Sequence, residues 1–265
     1  RTPGNLFNTG VNTPDLVNIY PGGATFDIPA SNACAIPSNL LAPAGYGVSG
    51  IAVTPRGGYI GPPFVAITGG GGTGATAIAQ FDSVNGTVTG VTMTSPGYGY
   101  RGTPTVTLAG GGTNLQTAVT GVTLAPNTSG GLTKIGAGIL TLSGTNTYAG
   151  VTTVSNGTLR LGVANALPTN AAVVVAGGVY DLNGLSVTNG SILLTSGTVI
   201  NGALNGGTLI KVGEAVATQS VFVASASPIV IAGGTLQLAS QPGLYEGRVA
   251  GAFDVTTPNP QTATK

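Results

Sequence analysis

The sequence predicts an all-β fold: a right-handed parallel β-helix with a Gly/Tyr-rich β-repeat module inserted in it or lying beside it. Three observations carry that expectation. Short apolar runs such as ILTL, VTTV, TLRL, SILL and TLQL recur, each bounded by Gly, Asn or Ser. No window sets apolar residues at i, i+3, i+4 and i+7 over three turns, and the abundant Gly and β-branched residues penalise a helix. The strand-and-corner pattern also returns in the C-terminal half about every 20 residues, the length of one β-helix coil.

Taken in order, residues 1–45 read as an N-terminal strand segment and the first coils. ATFDIPA from Ala24 resembles GVYDLNG from Gly178, matching Asp27 to Asp181 and Phe26 to Tyr180, so the coil is expected to begin before residue 30. Residues 46–124 form the module. VSGIAVTPRGGYIGPPFVAITGGGGT from Val48 aligns with VTGVTMTSPGYGYRGTPTVTLAGGGT from Val88 at a spacing of 40 to 41, and VTGVTL from Val119 is a partial third copy. Each copy reads strand, Gly-Tyr turn, Pro, strand, Gly-rich turn.

Residues 125–241 form the main coil. NGTLRLG at Asn156, GGVYDLNG at Gly177, SGTVING at Ser196 and GGTLQL at Gly233 mark successive coils, while GGTLIKVG at Gly206 falls off the phase. Strand side chains alternate, so Leu140, Leu142, Leu159, Leu161, Leu236 and Leu238 are expected to stack inside. Gly and Asn at the corners supply the positive φ that the bends need. Residues 242–265 read as a C-terminal extension or a linker to a further domain.

Composition excludes several classes. Charged residues are 6% of the chain, about a quarter of the usual share. Hydrophobic residues are 42%, enough for a core and too many for simple disorder. Eight Lys and Arg with a net charge of +1 cannot build the basic face that nucleic acid requires. No apolar run reaches the ~18–20 residues of a membrane-spanning helix. A membrane barrel would carry aromatic girdles, and here aromatics are 5% with no Trp. Neither nucleic acid nor membrane insertion is therefore expected. Cys34 cannot form an internal disulfide and reads as a small apolar residue or as a link between chains. The chain begins RTPGN without Met, which reads as a piece of a longer protein or a mature product.

Reaction chemistry is equally thin. There is no His, hence no ordinary triad and no common general base or metal ligand. Glycoside hydrolysis needs two carboxyl groups roughly 5–10 Å apart. Among Asp15, Asp27, Asp82, Asp181, Glu214, Glu246 and Asp254, only Asp27 and Asp181 share a repeat position, and the module separates them in sequence. GGGGTG at Gly69 lacks the Lys-Ser/Thr and the helix of a phosphate loop, and no Ca²⁺-binding nonapeptide is present. No catalytic residue, cofactor or metal is expected.

The densest polar-aromatic group is Tyr59, Tyr98 and Tyr100 with Arg56 and Arg101. These are candidate ligand contacts, because Tyr and Arg favour binding surfaces and Tyr faces stack on sugars. The competing reading is that they cover the module's small core with the arginines solvated. Lys134 and Lys211 have few partners by count.

GGLTKIGAGILTLSGTNTYAGVTTVSNGTLRLG, from Gly130 to Gly162, closely resembles the autotransporter-associated β-strand repeat found in passenger regions of large secreted bacterial proteins. GLTKIGAG, LTLSGTNTY, the Gly-x-Thr-Thr-Val run and NGTLRLG match it in order. The succession of a coil like ATFDI, then LLAP, then Gly-Tyr repeats, then this repeat is similar to giant surface proteins of bacteria such as Verrucomicrobia. The resemblance implies a secreted, β-helical protein of the cell surface, and it supplies no catalytic residues. The expected function is an extracellular stalk or filament subunit. It would join copies of itself or neighbouring domains of a longer chain, end to end or by strand addition at the open coil ends. A carbohydrate-binding adhesin module, with surface glycans as partners, is the alternative, and a polysaccharide-acting β-helix enzyme stands third.

Overall fold

In a computed structural model that describes residues 4–5, 17–112, 117–223, 229–238 and 253–254, the described residues form strands, turns, bends and irregular connections, with no helix among them. It forms two compact units, one of residues 1–42 and 129–265 and the other of residues 43–128.

The first unit is a parallel β-solenoid. One face stacks Ala24–Asp27, Leu132–Ile135, Thr152–Val154, the start of Val173–Val187, the start of Ser191–Leu204, Thr208–Lys211, Ile229–Ile231 and Phe253–Asp254, each parallel to the next. A second face stacks Gly4–Asn5, Ala33–Ile36, Ile139–Leu142, Thr158–Leu161, the later parts of the two long strands, Val216–Val223 and Thr235–Leu238. Alternation along each strand buries one set of side chains, so Leu140, Leu142, Leu159, Leu161 and Leu236 lie inside together with Val173, Val175, Ile192 and Leu194. Each such aliphatic contributes about 1.5–3 kcal/mol of burial. The side chain of Leu238 lies outside the described residues.

The register explains one sequence reading and corrects another. GGTLIKVG falls off the phase of NGTLRLG because Thr208–Lys211 belongs to the first face and Thr158–Leu161 to the second. The missing copy on the second face is Val216–Val223, whose ATQS pairs with GTVI of the preceding coil. Asp27 and Asp181 are not equivalent. Ala24–Asp27 pairs with Leu132–Ile135 on the first face, and Asp181 pairs with Arg160 on the second. The coil does begin before residue 30, since Ala24 lies opposite Leu132. Cys34 is half-buried against the core, level with Gly4 and Leu140.

At some bends between successive strands the chain uses a glycine that no other residue could replace without displacement. A Cβ on Gly157, where φ is +62°, would run into the carbonyl oxygens of Gly136 and Gly138 in the preceding coil. Gly197 meets Gly178 of the coil before it in the same way.

The second unit contains a four-stranded antiparallel sheet, in the order Thr105–Ala109, Phe64–Thr68, Thr73–Asp82, Thr87–Tyr98, and an antiparallel pair of Tyr46–Val53 with Val119–Pro126. Its core holds Val48, Ile51, Tyr59, Val65, Val88, Tyr100, Val106 and Leu108.

Candidate functional site

Lys134, Lys211, Asp181, Asn146, Tyr148 and Tyr180 inside the solenoid bind backbone and polar side chains. Lys134 points inward from its strand and is fully buried. Its ammonium donates to the carbonyls of Ile135 at 2.7 Å, Gly136 at 2.8 Å and Asn156 at 3.2 Å. Three donors thus meet three acceptors, which replaces the water that burial removes. Burial holds the Lys134 pKa below its usual value, and the Asp27 carboxylate pulls it partly back. Lys211 is buried too, with its pKa lowered by burial and raised in part by Glu214.

Asp181 is a second hub. Its carboxylate accepts from Arg160 Nε at 2.8 Å, from the Asn183 backbone N–H at 2.9 Å and from Asn201 Nδ2 at 3.1 Å. Asn183 and Asn201 sit at φ of +54° and +58°, the corner conformation that Asn tolerates. Deeper inside, Tyr148 bonds Thr152 across 2.6 Å and Tyr180 accepts from Asn189 at 3.2 Å. Burial pushes the Tyr148 pKa up to about 12 and raises that of Tyr180 further. Asn146 accepts from the Leu40 N–H and donates to the Ala166 carbonyl, joining neighbouring coils.

In the second unit the five candidate contacts separate. Tyr59 and Tyr100 are buried, at 5% and 3% exposure. Tyr59 lies against Gly111, and the Tyr59 hydroxyl accepts from the Thr117 N–H at 2.8 Å. Tyr100 lies against Gly70 and Gly72. The Ile60 N–H reaches the Gly111 carbonyl at 2.8 Å and the Arg101 N–H reaches the Gly70 carbonyl at 2.9 Å. Each copy's tyrosine therefore rests on the other copy's glycine turn, and its ring face is occupied. Tyr98 is half-buried beside Thr73, while Arg56 and Arg101 are exposed.

The open aromatic surface is elsewhere. Phe64 and Ile78 face each other on adjacent strands at 72% and 58% exposure. They continue the row Ala109, Phe64, Ile78, Thr92 across the outer face of the four-stranded sheet. Gln80 donates to Thr92 at 2.7 Å and Thr76 bonds Thr94 at 2.7 Å beside it, with no charged residue among them. Sequence reasoning missed this face because Phe64 alternates with the core residue Val65, and only register shows which points outward.

Among the described residues the acids do not gather. Asp82 caps its own hairpin turn, accepting from the Val84 and Asn85 N–H groups at 2.9 and 3.3 Å. Among the described residues no group of three or more His, Cys, Asp or Glu could hold a metal ion, and no helix is long and apolar enough to cross a membrane. Asp15 and Glu246, and the side chain of Asp254, lie outside the described residues.

Residues 132–161 match the family described as the passenger-associated-transport-repeat. No curated protein and no solved structure matches the chain. The match begins at the strand that carries Lys134 and ends at Leu161, so it spans two stacked coils of the solenoid. That repeat implies secretion and surface display. Residues 132–161 are thus one passenger-associated-transport-repeat within a parallel β-solenoid, and the chain fits an autotransporter passenger repeat protein.

Proposed function

We propose that the chain is an extracellular structural segment of a bacterial cell-surface protein, a non-catalytic β-helical stalk or filament subunit. One observation carries this reading. Parallel pairing runs without interruption from Gly4–Asn5 through every described coil to Phe253–Asp254, and the buried Lys134, Asn146 and Asp181 bond across to neighbouring coils. A stack in which each coil hydrogen-bonds its neighbours resists stretching and proteases, and its buried charges Lys134, Lys211 and Asp181 are absorbed in contacts that reach the next coil. Assembly is by strand addition at the coil ends. Gly4–Asn5 against Ala33–Ile36, and Val17–Asn18 against Leu40–Leu41, have the pairing that such addition uses. Electron micrographs with light scattering on the purified chain test it. Regular filaments are expected, with folded monomers from a chain lacking residues 1–20. Compact monomers from the full chain would sink the filament reading and leave a stalk segment within a longer protein.

A second reading, a neutral-carbohydrate adhesin, is favoured by the uncharged Phe64–Ile78 face rather than by Tyr59 and Tyr100. Binding on a glycan array that disappears with Phe64→Ala would support it; no binding by the full chain would remove it.

A further inference from the structure

The family match covers 132–161, but the solenoid builds the same arrangement again further along. We propose that residues 209–223 together with 229–238 form a second passenger-associated-transport-repeat, equivalent to 132–146 with 152–161.

Register is the first correspondence. Leu132 pairs with Thr152 and Lys134 with Val154; Leu209 pairs with Ile229 and Lys211 with Ile231. Ile139 pairs with Thr158 and Leu142 with Leu161; Val216 pairs with Thr235 and Gln219 with Leu238. Every one of these positions is shifted by the same 77 residues, as from 134 to 211 or from 161 to 238. The corners agree as well. Gly136 and Gly213 both have φ of +72°, and Gly157 and Gly234 have φ of +62° and +70°.

The lysine is the decisive feature. Lys211 donates to the carbonyls of Val212 at 2.6 Å, Gly213 at 2.8 Å and Gly233 at 3.3 Å, with Thr195 at 3.4 Å from the preceding coil. Lys134 uses the carbonyls one, two and 22 residues on, and so does Lys211. This is not what any coil at this position does. Up the interior ladder the residues read Lys134, Val154, Val175, Leu194, Lys211, Ile231. The coils between the two lysines fill the position with an aliphatic side chain, and the corner carbonyls take no ammonium there. An inward lysine recurring with the same three acceptors identifies the repeat rather than the coil.

Sequence hides the second copy because its interior has drifted. Ile229 and Ile231 replace Thr152 and Val154, and Gln219 replaces Leu142. Gln219 keeps its place by accepting from the Val221 N–H at 2.6 Å. What persists is Lys-x-Gly at 211–213 and Gly-Thr-Leu-x-Leu at 234–238, the two corners that the lysine ties together. The chain thus presents the repeat twice, independently of whether it assembles.

Full-length variants test equivalence. Lys134→Met and Lys211→Met each strand the same carbonyls, so both should lower the thermal unfolding midpoint by about 5 °C or more, while Leu194→Met on the same ladder shifts it by under about 2 °C. A chimera with residues 132–161 rewritten as the sequence of 209–238 should keep the β-sheet circular dichroism and the cooperative melt. Rewriting the same span as 173–202 should lose them. The proposal is overturned if Lys211→Met leaves the midpoint where it was, or if the 173–202 chimera folds and the 209–238 chimera does not. Should neither chimera fold, the pair of lysine variants decides.

Discussion

At the scale of single residues, this solenoid uses its few buried polar side chains as internal fasteners. The buried phenols make that testable through pH. A tyrosine in the unfolded chain ionises near 10. Tyr148 is pushed to about 12, and Tyr180 is raised for the same reason, the loss of water around the phenolate. Between pH 10 and 12 the unfolded chain has released protons that the folded chain keeps, so unfolding becomes easier as pH rises. Stability is full below 10 and falls above it. A titration should show the melting midpoint dropping from pH 10 upward, with the last phenolate absorbance appearing only as the fold opens. A midpoint flat to pH 12 would place both hydroxyls in water. None of this was legible from sequence. TNTY and GVYDL read as strand and corner, and only stacking brings Tyr148 near Tyr180. The same limit applied to Tyr59 and Tyr100, whose Gly-rich neighbourhood marks a binding loop and a buried ring equally well until the partner turn is known.

At the scale of elements, corners decide more than strands do. Gly157 and Gly184 both have positive φ, +62° and +77°. A methyl on Gly184 meets nothing within 4 Å, whereas on Gly157 it strikes two carbonyls of the preceding coil. Gly184→Ala should therefore cost only the conformational penalty, about 1 kcal/mol. Gly157→Ala adds a coil displacement and should cost about 2–4 kcal/mol. Chemical denaturation of the two variants checks the difference, and equal losses would mean the stack relaxes freely. Strand existence was readable because alternation and Gly punctuation are local. Face assignment was not. Thr208–Lys211 and Thr158–Leu161 have nearly the same pattern, TLIK and TLRL, yet lie on different faces. The distinction lies in the corners and strands that come after each, and a period counted from one motif cannot see it.

At the scale of the whole molecule, the chain leaves the solenoid after Ala42 and returns at Ser129. Both ends of that excursion are fixed to one residue of the first unit. The Ile19 N–H donates to the Leu41 carbonyl at 2.8 Å, and the Ser129 hydroxyl donates to the Ile19 carbonyl at 2.8 Å. A short linker can therefore span the gap, and loop closure grows only slowly with loop length. Replacing residues 43–128 by a few Gly and Ser should leave a solenoid that melts cooperatively within a few degrees of the parent. Loss of its β-sheet circular dichroism would show that the second unit is needed for the first to fold. The sequence displayed this interruption plainly, because two copies at a spacing of 40 to 41 break a rhythm of about 20.

The exchange of tyrosines within that second unit bears on how such a chain can grow. A solenoid can gain a coil at a time, since every coil offers the next one the same edge. In the module, Tyr59 rests on the turn at Gly111 and Tyr100 on the turn at Gly70. Neither copy is complete without the other, and the fragment at Val119 contributes only a strand to Tyr46–Val53. A third copy set beside this closed pair would bring a ring whose covering turn is already occupied, so the pair, not the single copy, is the unit by which the module can lengthen without rearranging its existing contacts.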